Sequence, residues 1–199
     1  MPLFIDDATR HMDKFLLKFK SEALEKLKEW KALAEKELST QVKRFRTDGG
    51  GKYTSENFAE YLKSEGILKE MTTHYTPHFN GVVERANSTI MERVQCLLDD
   101  AGLSKNHWAF VVSVAVNHTN RTLTRSAVSR TPYEVWHGSG KKLSVKHLCV
   151  FGCLAFMHVP KEKRKKLDFR ATPGILIGYS ISTTQYFVYD PLAKTLHHS

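Results

Sequence analysis

The chain has 199 residues, with 30 Lys plus Arg against 21 Asp plus Glu, 10 His, 3 Cys and 41% hydrophobic residues. That is enough for one domain with a real core, or one domain plus a small appendage. No apolar run approaches the roughly 20 residues a bilayer-crossing helix needs, and Asp6 and Asp7 interrupt the start where a secretory signal keeps an apolar stretch. Three cysteines cannot build a disulfide framework, so a reducing compartment is expected, nucleus or cytoplasm, with no membrane partner.

Charge is uneven along the chain. Residues 1–140 hold 20 basic and 18 acidic side chains, whereas 141–199 hold 10 and 3, so +7 of the net +9 lies in the tail. A concentrated cationic segment favours a polyanion, because neutralising phosphates releases condensed counterions; a solvated basic face is the plainer alternative.

In chain order, residues 2–6 and 14–19 read as a hairpin around the polar turn Asp7-Ala8-Thr9-Arg10. Ser21 is the expected N-cap of a helix over 22–38, where Leu24, Leu27, Trp30, Ala34 and Leu38 recur at helical spacing. A short strand at 41–46 leads to Thr47-Asp48 and three glycines, which places Asp48 at a strand end. A helix over 55–64 stopped by Gly66 and a strand at 67–72 follow. Residues 73–81, with Pro77 and Asn80-Gly81, read as a mobile loop. Val83, Ala86, Ile90, Val94, Leu97, Leu98 and Ala101 then line one helical face, with Glu84 on the first turn and off that face. A helix over 105–119 is expected to bury Trp108, Val111, Val112 and Ala115. Thr131-Pro132-Tyr133-Glu134 matches a capping box with Pro at the first helical position. Short β segments complete the chain at 149–159, 174–179, 185–190 and 195–197.

Two carboxylates stand out by position: Asp48 at a strand end and Glu84 at a helix start, with 35 residues between them. Such a pair can contribute to a site for two hard divalent ions roughly 4 Å apart, which activate a water or 3′-hydroxyl in phosphodiester displacement. Taken alone, an Asp before Gly is ordinary turn chemistry, and a Glu on a first turn is ordinary dipole matching.

The series Arg46-Thr47-Asp48-Gly49-Gly50-Gly51-Lys52-Tyr53, then Tyr75-Thr76-Pro77-His78-Phe79-Asn80-Gly81-Val82-Val83-Glu84-Arg85-Ala86-Asn87, resembles the retroviral-type integrase core of Copia-type retrotransposons. The resemblance continues through Asn120-Arg121, Thr131 to Trp136, Val150-Phe151-Gly152-Cys153, Lys166-Leu167-Asp168 and Gly178-Tyr179. It implies an α/β fold: a ribonuclease H-like core lacking its first strand over 1–140, followed by a small basic β-rich module over 141–199. It also implies polynucleotidyl transfer dependent on Mg²⁺ or Mn²⁺ at a two-metal site, with element ends and target DNA as partners and a homo-oligomer as the working form.

Carried over position by position, Asp48 and Glu84 resemble the second and third catalytic, metal-holding carboxylates. The first has its expected place upstream of Met1, so this chain alone is expected to be inactive. Asp6 and Asp7 resemble the family's structural acidic pair. Asn87, three residues after Glu84, faces the same side of the helix and is placed to meet DNA phosphate or to orient the site. Gly49, Lys52 and Ser88 stand where the family has Asn, an acidic residue and Arg; Lys52 brings positive charge to the Asp48 loop, to assist DNA or compete with metal. In the tail, Lys161, Lys163, Arg164, Lys165 and Lys166 form the expected phosphate-contacting run. Tyr179, Tyr186, Phe187 and Tyr189 read as core or cross-strand pairs. His147, Cys149, Cys153 and His158 make a poor zinc signature, and the two cysteines are expected to pack in a strand. The reading is thus a retrotransposon integrase fragment acting in DNA integration. The competing reading is a non-catalytic nucleic-acid-binding or interaction remnant of such an element.

Overall fold

In the computed structural model, which describes residues 1–47, 53, 55–71, 77–123, 129–138, 143–179 and 185–198 (side chains of 77–80 excepted), the chain opens with an antiparallel hairpin of β1 (Leu3–Ile5) and β2 (Met12–Lys14). The second strand is expected at 14–19 and falls earlier. The cause is the Asp6 carboxylate, whose Oδ2 accepts from Thr9 N–H at 2.8 Å and Thr9 Oγ1 at 2.7 Å and so tightens the turn. Asp6 N–H donates to the His11 carbonyl at 2.9 Å, and Arg10 takes a left-handed φ of 63° to let the chain reverse.

Beyond Lys14 the chain is drawn toward a helix rather than continuing as strand. The Glu22 carboxylate accepts N–H bonds from Lys18 at 3.1 Å and Phe19 at 3.2 Å, around a single 3₁₀ turn, Lys20–Glu22. That acidic clasp, not Ser21, starts α1 (Ala23–Leu38). α1 buries Ala23, Leu27 and Ala34, and its Lys31 ammonium lies 2.8 Å from Glu35 and 2.9 Å from Glu65.

β3 (Arg44–Thr47) and β4 (Leu68–Met71) pair in parallel, Arg44 opposite Leu68, joined through α2 (Glu56–Ser64) as a parallel crossover requires. Ser55 caps α2 by accepting from Phe58 N–H at 3.3 Å, and Gly66 leaves the helix with φ +67°. Phe4, Ala23, Leu27, Tyr53, Phe58, Leu62 and Ile67 form a core here, with Phe45 wedged among Phe4, Tyr53 and Phe58 at ring separations of 6.2, 5.6 and 5.6 Å.

α3 (Pro77–Asp100) begins earlier than the sequence pattern suggests. Residues 77–81, expected in a loop, are helical, because Pro77 suits a first helical turn, where its missing N–H costs nothing. The remainder of that expected loop, 73–76, lies outside the described residues. Ala86, Ile90, Val94 and Leu98 are buried along α3 at helical spacing. α4 (Trp108–Asn120) follows a 3₁₀ turn and buries Val111, Val112, Val114, Ala115 and Val116. Trp108, expected in that stripe, is 41% exposed, because valines occupy nearly the whole buried girth of the helix. α5 (Pro132–His137) has the expected capping box: Thr131 Oγ1 accepts from Glu134 N–H, and the Glu134 carboxylate accepts from Thr131 N–H at 3.0 Å.

The last stretch is a four-stranded antiparallel sheet in the order β5 (Leu154–His158), β6 (Ala171–Tyr179), β7 (Tyr186–Asp190), β8 (Thr195–His198). Cys149 and Cys153 precede β5 rather than lying in it. A turn intervenes at Gly152, whose φ of +80° and N–H bond to the Leu176 carbonyl at 2.8 Å hook the chain onto β6. Cys149 is exposed, Cys153 half-buried, and both are free thiols.

By packing, the chain divides into two units, Met1–Thr89 with Asn120–Lys142 and Ile90–Thr119 with Leu143–Ser199. In the first, the Trp136 indole N–H donates to Glu37 Oε2 at 3.0 Å and the His11 ring stacks on Trp136 at 4.6 Å. In the second, Arg93 donates to Thr119 Oγ1 at 2.8 Å, and Met157, Leu176 and Val188 are buried in the sheet.

Candidate catalytic and nucleic-acid-binding surfaces

β3 ends at the buried Thr47, immediately before Asp48 in the chain; Asp48 and Lys52 themselves lie outside the described residues. Glu84 is exposed on α3, seven residues after Pro77 and so about two turns into the helix rather than on its first turn. Its neighbour Ala86 is buried, which fixes the solvent-facing side as the one that carries Glu84. Asn87, half-buried, shares that side at the i+3 position. The Arg85 guanidinium folds back along α3 toward Gly81, 3.3 Å from where a Cβ would stand there, and lays a cation along the same exposed stretch.

Asp6 and Asp7 are occupied otherwise. Asp6 holds the hairpin turn through Thr9, while Asp7 sits 2.5 Å from Arg10 and 4.0 Å from Arg46. Arg46 and Arg44 both reach across to Glu70, at 3.1 and 2.9 Å, and the Arg46 hydrogen bond, first of several causes, lowers the Glu70 pKa from its usual range. Among the described residues no group of three or more His, Cys, Asp or Glu side chains is arranged to hold a metal ion. The carboxylate oxygens of Asp48 and Glu84 are nonetheless the hard donors that Mg²⁺ and Mn²⁺ take.

Lys161, Lys163, Lys165 and Lys166 are exposed and Arg164 is half-buried, all in the connection between β5 and β6. A 3₁₀ turn, Lys161–Lys163, and a return loop in which Lys165 N–H donates to Asp168 Oδ2 at 2.7 Å hold this backbone in a defined shape. The sequence pattern passes over Leu167 and Phe169, 97% and 90% exposed beside the cations. Two apolar side chains flanked by charges, with no strand alternation to bury them, were the available signal. The tyrosines are spent internally: Tyr179 donates to the Cys149 carbonyl and Tyr186 to that of His147 at 3.0 Å, while burial pushes the Tyr179 hydroxyl up to about 12.

The family model described as "Retroviral polymerase SH3-like domain" matches residues 153–199. Along nearly its whole length, 98%, the chain is 42% identical over 196 residues to the retrovirus-related Pol polyprotein from transposon TNT 1-94 of Nicotiana tabacum, and it spans about 15% of that polyprotein. In fold it matches a chain of the simian T-cell lymphotropic virus intasome in complex with PP2A regulatory subunit B56 gamma, with TM-score 0.54 and 17% identity over 98% of this chain and 68% of that one. It also matches the HTLV-2 integrase catalytic core domain in complex with magnesium, in its trimeric form, with TM-score 0.51 and 18% identity over 68% of this chain and 82% of that one.

The fold is therefore that of the ribonuclease H-like integrase catalytic cores, with a small β-rich module. The chain belongs to the retrovirus-related Pol polyproteins of transposons, as an integrase-like segment of them.

Proposed function

We propose that this chain serves DNA integration by polynucleotidyl strand transfer, in the manner of a Copia-type integrase. Residues 1–140 act as the catalytic core and 141–199 as a basic module that holds DNA. One observation carries the reading: Glu84, separated from Asp48 by 35 intervening residues, stands exposed on a helix whose opposite face is buried, beside Asn87 and Arg85. Asp48 and Glu84 would hold Mg²⁺ or Mn²⁺. Bound there, the metal supplies charge stabilisation at the attacking and leaving oxygens. Asn87 and Lys52 meet phosphate beside the carboxylates and fix the DNA end, and the run from Lys161 to Lys166 supplies sequence-independent attraction. Leu167 and Phe169 add apolar contact with sugars or bases. Element ends and target DNA are the substrates, a homo-oligomer the working form, and the nucleus the place of action after synthesis in the cytoplasm.

Mn²⁺ titration of the isotope-labelled chain tests the metal site independently of turnover. Paramagnetic broadening centred on Glu84 and lost in Glu84→Gln is expected; broadening that is absent, or unchanged by that substitution, overturns the reading. Joining of an oligonucleotide end to plasmid in Mn²⁺ tests the chemistry: this chain alone is expected to show no turnover, since Asp48 and Glu84 supply two carboxylates where the family's site takes three, and turnover that vanishes in Asp48→Asn and in Glu84→Gln would overturn that expectation.

A further inference from the structure

We propose that the connection between β5 and β6 senses how easily DNA unstacks: Leu167 and Phe169 enter an opened base step as a wedge, so the module takes a duplex with an interrupted step in preference to an intact one. The proposal rests on the DNA-binding role given above to the run from Lys161 to Lys166, and adds the form of DNA that this loop selects.

The loop leaves and rejoins the sheet at one neck, where Val159 N–H donates to the Arg170 carbonyl at 2.9 Å. Between those residues it is pinned twice. Lys163 N–H reaches the Pro160 carbonyl at 3.1 Å across the 3₁₀ turn. A second turn closes where Asp168 N–H donates to the Lys165 carbonyl at 3.1 Å, while the Asp168 carboxylate accepts the Lys165 N–H at 2.7 Å. Leu167 stands at the corner of that turn, with Phe169 between it and the neck, and both side chains are almost wholly exposed. A backbone held at three points keeps them presented outward, an arrangement that is unfavourable in water until something covers the pair.

Charge decides the occupant. Lys161, Lys163, Arg164, Lys165 and Lys166 precede the pair in the chain and Arg170 follows it, against the carboxylates of Glu162 and Asp168, and Asp168 is already engaged in the turn. Cations before and after an apolar tip fit a strongly anionic partner whose charges lie on both sides of an apolar slot, which is what two phosphate backbones around a base step provide. A leucine gains nothing on the phosphate surface, because it can neither pair with charge nor read a base edge. Between base pairs it replaces lost stacking contact, and Phe169 stacks on the base face thereby exposed. Two side chains make too small an apolar face to hold a lipid surface, where a whole helical stripe is the usual anchor. Opening the step is the unfavourable part of the wedge, so binding is tightest where the step is already interrupted.

The test titrates the full chain against two labelled duplexes of one sequence, intact or with a single abasic site at the centre. The abasic duplex is expected to bind at least fivefold more tightly, and a 2-aminopurine beside the abasic site to change its fluorescence on binding. Leu167→Ala with Phe169→Ala is expected to bind both duplexes alike, with the slope of log affinity against log salt unchanged and the fluorescence change lost; Phe169→Trp keeps the preference. Both positions are exposed, and an unaltered circular dichroism spectrum shows that the variants are folded. Equal, salt-dependent binding of the two duplexes by the native chain overturns the wedge and leaves the DNA-binding reading standing, whereas binding of neither at low salt overturns both. A preference that survives the double substitution also overturns the wedge. So does equal duplex affinity together with Phe169-dependent retention on phosphatidylserine vesicles, because a membrane is then the occupant.

Discussion

The side-chain amide of Asn120 grips the backbone of Met12 in both directions: Oδ1 accepts the Met12 N–H at 3.0 Å, and Nδ2 donates to the Met12 carbonyl at 2.9 Å. Asn120 is buried, so water cannot replace either bond. Asn120→Ala is expected to destabilise the unit by about 1–3 kcal/mol, the cost of orphaning buried backbone groups. Asn120→Asp is expected to cost more at neutral pH, since it sets a carboxylate oxygen against the Met12 carbonyl. Urea unfolding followed by Trp30 and Trp136 fluorescence measures both.

His11 gives this region a pH dependence. Burial, the largest cause, lowers its pKa below 6.5, helped by His137 and opposed by Asp13, Glu37 and Asp6. The unfolded chain therefore takes up the proton first as pH falls. Stability is complete above about pH 6.5 and is lost progressively below it. The urea midpoint of the native chain is expected to drop as the pH falls below about 6.5, and His11→Phe, which keeps a ring on Trp136, is expected to flatten that fall.

Two glycines with the same left-handed backbone should respond differently to alanine. At Gly152, φ +80°, an added Cβ collides with Ala101, whereas at Gly66, φ +67°, nothing lies within 4 Å. Gly66→Ala is expected to cost about 1–2 kcal/mol, the backbone penalty alone. Gly152→Ala adds overpacking of about 1–3 kcal/mol. Thermal unfolding of the two variants separates the contributions.

DNA affinity is expected to fall steeply with salt. Replacing Lys161, Lys163, Arg164, Lys165 and Lys166 with Gln should flatten the log–log slope by about 0.9 for each phosphate no longer neutralised, for all sequences alike. Phe169→Ala should weaken binding with the slope unchanged. Titrations of a labelled random duplex at several salt concentrations check both, and an unaltered slope in the Gln variant would mean the run is only solvated.

Where local chemistry decides the structure, the sequence discloses it: the Thr131–Glu134 capping box and the Gly66 stop of α2 stand where patterning puts them, and the four closing strands exist in the expected order, though the first starts five residues later than expected and the second three residues earlier. Failures occur where a side chain acts on backbone a few residues away. Asp6 sets the hairpin turn and Glu22 outcompetes Ser21 at α1, and neither carboxylate announces its partner in the order of residues. Helix at 77–81 was obscured because Pro and Asn-Gly are turn formers that a first turn also tolerates. Glu84 was legible as a candidate, though its distance from the helix start was not; Leu167 and Phe169 were missed because apolar residues default to the core.

The bond from Asn120 to Met12 spans 108 residues, and that from Trp136 to Glu37 spans 99. On a ribosome adding about 5–20 residues per second, the hairpin emerges roughly 5–20 s before the residue that clamps it. Over that interval β2 stands without the side chain that holds the backbone of Met12. The clamp forms only after Asn120 has been made, so translation rate sets how long the hairpin stands without it.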